Sequence, residues 1–125
     1  MKTALTVLTT VFLASAGHAE DYELAQSTVR IGQTARLGRV HVTPIKVISD
    51  SRCPMNARCI WAGEVRIKAR LRFGGQVVMR ELVSAKPIQF AGGNVTLADV
   101  MPPRHTGHGL VPKDYRFTFT FGNGT

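Results

Sequence analysis

Basic side chains occupy every second position of one apolar segment. The row consists of Arg66, Lys68, Arg70 and Arg72, and it alternates with Val65, Ile67, Ala69, Leu71 and Phe73. Alternate residues of a β-strand share a face and lie about 6 to 7 Å apart, so the row would reach roughly 20 Å. Such a row fits an extended polyanion, for example lipopolysaccharide, teichoic acid, nucleic acid or a sulfated glycan. The alternative is a solvated strand face whose charges prevent sheets from pairing edge to edge.

The net charge agrees with an anionic partner. Sixteen lysines and arginines against eight acidic residues give a formal charge of +8. Such an excess favours solubility and association with polyanions, and it carries no information about the fold. No aromatic residues alternate with the four cations, so base stacking is not indicated and sequence-specific recognition of nucleic acid is not expected.

A second candidate site combines histidine with methionine. His105 and His108 are three residues apart, and Met101 precedes them. Imidazole and thioether ligands suit copper in an oxidising compartment. Glycine and proline surround these residues and leave the ligand geometry loose, whereas a selective site needs fixed ligands. An ordinary loop is therefore the favoured interpretation, and no cofactor is predicted.

Catalytic patterns find less support. The individually available groups are Ser51, Ser84, Asp99, His105 and Asp114. The sequence contains no nucleophile elbow, no H-E-x-x-H motif and no pattern of paired catalytic carboxylates. A protein that is not an enzyme is the better hypothesis.

The only two cysteines, Cys53 and Cys59, are predicted to form a disulfide. A metal or redox pair would need further ligands nearby or the two-residue spacing of thioredoxin-like sites. Since neither is present, a structural link is favoured, and it also removes both thiols as nucleophiles.

The residues around the two cysteines have the composition of a structural corner. Asp50 supplies turn acceptors, Pro54 fixes one φ angle, and Gly63 permits a tight entry into the next strand. Arg52 is expected to pair with Asp50 or Glu64. Trp61 is expected to cap the core beside the disulfide, with one hydrogen-bond partner for its indole N–H.

The same segment resembles a family of small bacterial proteins that are secreted or lipid-anchored. The shared pattern is D-S-R-C-P, four or five residues, then C-x-W-A-G, which here runs from Asp50 to Gly63. The resemblance implies a bacterial envelope location and a single β-sandwich domain. It implies no activity, substrate or catalytic residue.

The N-terminal segment has the three parts of an export signal. Lys2 is followed by an apolar stretch from Ala4 to Ala16, and Gly17-His18-Ala19 fits the cleavage pattern. The apolar stretch is too short and too polar to anchor the chain in a membrane. Cleavage after Ala19 is predicted, so residues 1–19 would be a signal peptide and residues 20–125 one domain without a transmembrane segment, periplasmic or secreted.

Strand patterns dominate that domain. Tyr115, Phe117, Phe119 and Phe121 alternate with polar residues and predict a C-terminal strand on the core. Gly74-Gly75 predicts a hairpin in which Gln76 to Val83 pairs back on the basic strand, with Glu81 opposite Lys68 and Val78 opposite Leu71. That register places Arg80 on the core side. Pro44 shifts the apolar alternation, so a bulge or an edge position is expected there.

The remaining segments complete an all-β prediction. The residues from Ala35 to Val42 form one longer β-prone stretch, Gly92-Gly93-Asn94 is a turn before a short strand, and Met101 to Lys113 is a long loop. About seven short strands and one disulfide predict a small antiparallel β-sandwich of immunoglobulin-like character.

Three functional hypotheses remain open. The first is a binding or structural domain of the bacterial envelope that contacts an anionic polymer or a protein partner. The second is a copper-binding periplasmic protein that uses the histidine-methionine loop. The third is a small hydrolase inhibitor that presents a rigid loop, such as 54–58, to an enzyme cleft.

Overall fold

The chain forms two antiparallel β-sheets. The computed structural model describes residues 3, 4, 10 and 25–122, and the predicted cleavage after Ala19 lies outside them. The strands are β1 (Ala25–Val29), β2 (Ala35–Leu37), β3 (Val40–Asp50), β4 (Val65–Phe73), β5 (Gln76–Val83), β6 (Ile88–Phe90), β7 (Gly93–Met101) and β8 (Arg116–Gly122), with one 3₁₀ turn at Pro112–Asp114. Within the described residues, no helix is both long and apolar enough to cross a membrane.

The first sheet has the strand order β1-β8-β7-β6, and the second has the order β2-β3-β4-β5. The predicted all-β sandwich is therefore confirmed. It has eight strands where about seven were expected, because one expected strand is divided into two and one short strand is additional. Gly38, with a φ of 65°, turns the β-prone stretch from Ala35 to Val42 into the hairpin β2–β3, and residues 88–90 form a short edge strand beside β7.

The core lies between the inner faces of the two sheets. Ile67 and Leu71 of β4 are fully buried, as are Leu97 of β7 and Phe117 and Phe119 of β8. The aromatic alternation of the C-terminal strand is confirmed, since ring centroids of Phe117 and Phe119 lie 6.3 Å apart on the inner face. Aromatic pairs at this separation add to the stabilisation that burial alone provides.

The β4–β5 hairpin has the predicted register. Phe73 pairs with Gln76 across the two glycines, Glu81 lies opposite Lys68, and Val78 lies opposite Leu71. Arg80 lies at a position of β5 that alternation places on the core side, but it is exposed. The reason is that β5 is the edge strand of its sheet, where a long side chain can reach water. The alternation along β4 predicts that Phe73 faces the core with Val65, Ile67, Ala69 and Leu71. That prediction is wrong for Phe73, which ends β4 beside the turn and is 36% exposed.

Two other strands differ in detail from the prediction. The bulge at Pro44 is confirmed, since the β3–β4 register shifts between Pro44 and Lys46 and again between Val47 and Ser49. The turn expected at residues 92–94 is shorter, because Gly93 already begins β7. That strand continues to Met101 through a register shift between Leu97 and Asp99, which conceals its alternation in the sequence.

Candidate functional site

The predicted basic row lies on the outer face of the second sheet. Lys68, Arg70 and Arg72 are exposed and Arg66 is half-buried, while the alternating residues from Val65 to Leu71 are buried. The four cations are not equivalent. Arg66 makes ion pairs of 2.8 Å with both Glu64 and Glu81. Three cations of the row therefore remain for an external anion.

Neighbouring strands extend this surface with residues that the sequence analysis did not assign to it. Directly opposite residues of antiparallel strands share a face. His41 of β3 lies opposite Arg72, Arg36 of β2 lies opposite His41, and Lys46 of β3 lies opposite Lys68. The basic face is defined here by Arg36, His41, Lys46, Lys68, Arg70 and Arg72.

For two of the three residues that the sequence analysis did not assign to this surface, the sequence contains a weak indication of their outward position. Arg36 stands between the buried Ala35 and Leu37, and His41 stands between the buried Val40 and Val42, so alternation alone could have placed both outward. Lys46 could not be assigned in this way. The bulge after Pro44 decides that Lys46 shares the face of Lys68, and a bulge position changes the face of every following residue.

Carboxylates accompany only one end of the outer face within the part of the chain that the structure describes. Glu64 and Glu81 both bind Arg66 there, and Lys86 lies 3.4 Å from Glu64. Hydrogen bonding from Arg66, and more weakly from Lys86, lowers the pKa of Glu64 despite the opposing effect of partial burial. The hydrogen bonds that Arg66 donates to Glu81 and Glu64 raise the pKa of Arg66. The Arg66 end is thus internally neutralised.

The residues around the disulfide form a corner between the end of β3 and the start of β4. Cys53 and Cys59 are bonded, with Cα atoms 5.8 Å apart, so the predicted disulfide is confirmed. Of the two partners expected for Arg52, the structure shows Asp50. Nε of Arg52 donates to Oδ1 of Asp50 at 3.0 Å, and Nη2 donates to Oδ2 at 2.8 Å. Its remaining Nη1 donates to the carbonyl of Val100 at 2.8 Å. The corner is thereby attached to β7.

Tyr115 joins the same network from the other sheet. Its hydroxyl donates a 2.9 Å hydrogen bond to Oδ2 of Asp50. Burial would raise the pKa of Asp50, but hydrogen bonds from Arg52 and Tyr115 outweigh it and lower that pKa. Burial and the bond to Asp50 raise the pKa of Tyr115 to about 12. This partly buried, paired carboxylate is a structural link between the two sheets.

Trp61 does not cap the core as expected. It is 58% exposed, and its indole Nε1 donates a 3.2 Å hydrogen bond to the carbonyl of Ser51. Gly63, at a φ of 71°, brings the chain so close to Ser51 and Arg52 that a side chain at this position has no room. Trp61 is therefore held on the outside of the corner, and the single partner predicted for its N–H is a backbone carbonyl.

The disulfide loop is bound to the loop between β7 and β8. The amide of Met55 donates to the carbonyl of Arg104 at 2.8 Å, and Asn56 exchanges two hydrogen bonds with Thr106. Arg104 in turn donates from Nη1 to the carbonyl of Arg52 at 2.7 Å. These hydrogen bonds thus hold together two loops that are far apart in the sequence.

The proposed copper ligands lie on that second loop. His105 and His108 are exposed and form an isolated backbone bridge, with the amide of His108 donating to the carbonyl of His105 at 3.3 Å. Met101 ends β7 and lines a depression with Arg30, Lys113 and Arg116, among others. Among the described residues there is no cluster of three or more His, Cys, Asp or Glu side chains.

Three of the five candidate catalytic groups, Ser51, Ser84 and Asp114, have structural partners. The Ser51 hydroxyl both donates to the carbonyl and accepts from the amide of Glu64. The Ser84 hydroxyl accepts from the amide of Val65, and Asp114 accepts from the amide of Val111. These contacts hold turns and strand ends in place.

Comparisons with protein-family models, with curated proteins and with solved structures found no match. The function is therefore argued from the geometry and the charge of the basic face and of the corner.

Proposed function

We propose that this chain is a non-enzymatic binding domain of the bacterial envelope, and that its basic face binds an anionic polymer. The observation that carries the proposal is the charge arrangement on three adjacent strands. Five lysine and arginine side chains share this face, and none of them makes an ion pair with a carboxylate of residues 25–122. Neighbouring strands lie about 4.7 to 4.9 Å apart, so these cations lie close together.

A polymer is favoured over a small ligand because the face is long and open. Cations distributed along β4 and its neighbours contact many repeats of a chain at once, and each neutralised charge releases a counterion. Association of this kind depends steeply on salt.

The envelope location is part of the proposal. The disulfide is compatible with an oxidising compartment, and the signal-like N-terminus and the resemblance to secreted or lipid-anchored bacterial proteins favour export. Intact mass of the protein recovered from the periplasm or the medium is expected to begin at Glu20. Exported protein that retains residues 1–19 would contradict this part.

The binding experiment compares two variants of equal charge. In the first, Lys46, Lys68, Arg70 and Arg72 are replaced by Gln; in the second, Arg30, Arg58, Lys113 and Arg116 are replaced by Gln. Elution from immobilised heparin and from lipopolysaccharide is measured across a salt series. The first variant is expected to elute at lower salt and to have a flatter salt dependence than the second. Equal elution of the two variants would show that only net charge matters and would overturn the proposal.

A second candidate function, a protein-binding loop, is favoured by the supported disulfide loop. Met55 and Ile60 are exposed on it although its backbone is fixed by the disulfide and by the contacts to Arg104 and Thr106. A pre-organised loop loses little conformational entropy on binding, which is what a hydrolase inhibitor requires. Inhibition of envelope hydrolases by the native protein, and its loss on Met55→Asp, is the test; binding of this kind would persist at high salt.

A further inference from the structure

One end of the basic face is concave. Its depression has a volume of about 300 Å³. The lining side chains come from β2, β3 and β4 and from the residue just before β2: Thr34, Arg36, His41, Thr43, Arg70 and Arg72. None of these six side chains is a carboxylate. A depression of this size accommodates one anionic head group together with water.

The donors around the depression include guanidinium and hydroxyl groups, beside the imidazole of His41. Arg36, Arg70 and Arg72 supply guanidinium groups, which form forked hydrogen bonds to oxyanions and remain charged at all ordinary pH values. The hydroxyls of Thr34 and Thr43 lie 2.8 Å apart and share one hydrogen bond. Because each hydroxyl has one hydrogen, one hydroxyl hydrogen remains to donate to a ligand.

The other end of the face has different chemistry. There a second depression is lined by Lys46, Lys68 and Arg80, together with Glu81 and the apolar side chains of Ile48 and Met79. Lysine offers a compact point charge and no fork, so this depression has one guanidinium group against three at the other end, and its lining includes a carboxylate, that of Glu81. The two ends therefore differ in geometry as well as in charge, and the arginine end is the better oxyanion site.

The number of donors indicates the type of oxyanion. Of the three guanidinium groups, one comes from β2 and two come from β4, with β3 between them. A carboxylate has two oxygens in one plane and matches one fork, or two at most. A phosphate or sulfate monoester has three free oxygens in a tetrahedral arrangement, which three guanidinium groups and a hydroxyl can contact together.

We propose that the depression lined by Arg36, Arg70 and Arg72 is a binding site for a tetrahedral monoester, the phosphate or sulfate group of the anionic polymer. This inference rests on the proposed function, because it assigns one position on the basic face to one substituent of the polymer. The lysine end then contacts the neighbouring charges of the same chain.

The test uses a charge-conserving variant. Arg36, Arg70 and Arg72 are replaced together by Lys, which removes the forks and keeps the charge. In the matched control, Arg30, Arg58 and Arg116, which are exposed elsewhere, are replaced by Lys. Phenyl phosphate, phenyl sulfate and benzoate are titrated into each protein at constant ionic strength, with amide chemical shifts as the readout. Far-UV circular dichroism and the single variant Arg70→Lys show whether any loss reflects unfolding.

At least one monoester is expected to bind the native protein at least tenfold more tightly than benzoate, with shifts concentrated at Arg36, Thr43 and Arg70. The triple variant is expected to lose at least tenfold of that affinity, Arg70→Lys to lose part of it, and the control to lose none. The comparison of phenyl phosphate with phenyl sulfate identifies which ester the site prefers. Benzoate bound as tightly as both monoesters, or a triple variant within twofold of the native protein, would overturn the assignment.

Failure of this inference is distinguishable from failure of the proposed function. If the monoesters show no preference while the glutamine variants still separate on heparin, the face binds polymer without a dedicated monoester site. If the monoesters bind as expected while the glutamine variants elute together, the depression is a small-anion site and the polymer proposal is wrong. The triple arginine-to-lysine variant is expected to elute from heparin at lower salt than the native protein but to keep the same salt slope, since its charge is conserved.

Discussion

Lys46 lies directly opposite Lys68 on the neighbouring strand, with both side chains exposed on the basic face. Directly opposed side chains of antiparallel strands have Cβ atoms about 4.5 to 5.5 Å apart, and like charges in this position are destabilising. Glu81 lies on the other side of Lys68, but its carboxylate binds Arg66. The sheet therefore tolerates a repulsive pair that a ligand of opposite charge would neutralise.

This pair predicts opposite effects on stability and on binding. Along the series Lys46, Lys46→Gln and Lys46→Glu, the free energy of unfolding is expected to rise by about 0.2 to 1 kcal/mol in total, because repulsion is replaced by attraction to Lys68. Heparin elution is expected to move to lower salt along the same series. Urea unfolding and salt elution measure the two trends. A Glu variant that is less stable than the native protein would show that the two lysines do not repel each other.

The row on β4 predicts unequal roles for neighbouring arginines. Arg70→Gln is expected to reduce the slope of log affinity against log salt by about one, because one polymer contact and its released counterion are lost. Arg66→Gln is expected to leave the slope nearly unchanged, since Glu64 and Glu81 already neutralise Arg66. Both variants lose one formal charge, so each is the other's control. Equal slopes would mean that Arg66 leaves its carboxylates to bind the polymer.

The link between Asp50 and Tyr115 predicts a pH dependence at alkaline pH. The folded state raises the pKa of Tyr115 to about 12, whereas an unperturbed tyrosine titrates near about 10. The stabilisation by the neutral hydroxyl is therefore complete below about pH 10 and is lost as the pH rises toward 12. Tyr115→Phe is expected to lower the free energy of unfolding by about 1.5 to 3 kcal/mol at pH 8, because a hydrogen bond to a carboxylate is removed.

Urea unfolding of the native protein and of Tyr115→Phe at pH 8, 10 and 11 tests this link. The difference between the two proteins is expected to shrink as the pH rises, because the native protein alone loses the contribution of the Tyr115 hydroxyl. Lysine deprotonation affects both proteins alike and cancels in the difference. A difference that stays constant up to pH 11 would rule out the hydrogen bond to Asp50 as its source.

The sequence predicted the inner and outer faces of β4 because alternation is a local property of one strand. It also predicted the β4–β5 register, since two glycines allow only a tight turn. The sequence did not predict which residues make up the basic face. Whether Lys46 joins Lys68 depends on a bulge in β3, and whether Arg66 is free depends on Glu81 from the next strand; both are decided by pairing between strands.

Trp61 illustrates a second reason for a wrong expectation. A large apolar side chain next to a disulfide is usually expected to be buried, and the sequence shows only that the indole N–H needs a partner. The partner is the carbonyl of Ser51, which lies close to Trp61 where Gly63 brings the chain against residues 51 and 52. The decisive contact lies between backbone segments, and no side-chain pattern reports it.

Gly63 and Gly74 provide a matched pair for testing that close approach. Both have positive φ angles, 71° and 58°. A Cβ at Gly74 would meet nothing within 4 Å, whereas a Cβ at Gly63 would lie 2.7 Å from the Cα of Arg52 and closer still to the carbonyl oxygen of Ser51. Alanine at either position incurs the cost of a left-handed backbone, roughly 1 to 2 kcal/mol. Only Gly63→Ala adds a clash with backbone atoms that cannot rotate away.

Gly74→Ala is therefore expected to lower the free energy of unfolding by about 1 to 2 kcal/mol and Gly63→Ala by about 2 to 5 kcal/mol, because overpacking adds to the conformational cost. Trp61 is the only tryptophan and is bound to the displaced Ser51 carbonyl, so its fluorescence reports the corner directly. The emission of folded Gly63→Ala is expected to differ from that of the native protein, and that of Gly74→Ala to be unchanged. Equal destabilisation and unchanged emission in both variants would mean that the corner relaxes to accommodate the added Cβ at no further cost. The backbone contact of Gly63 with Ser51 would then not hold Trp61 in place.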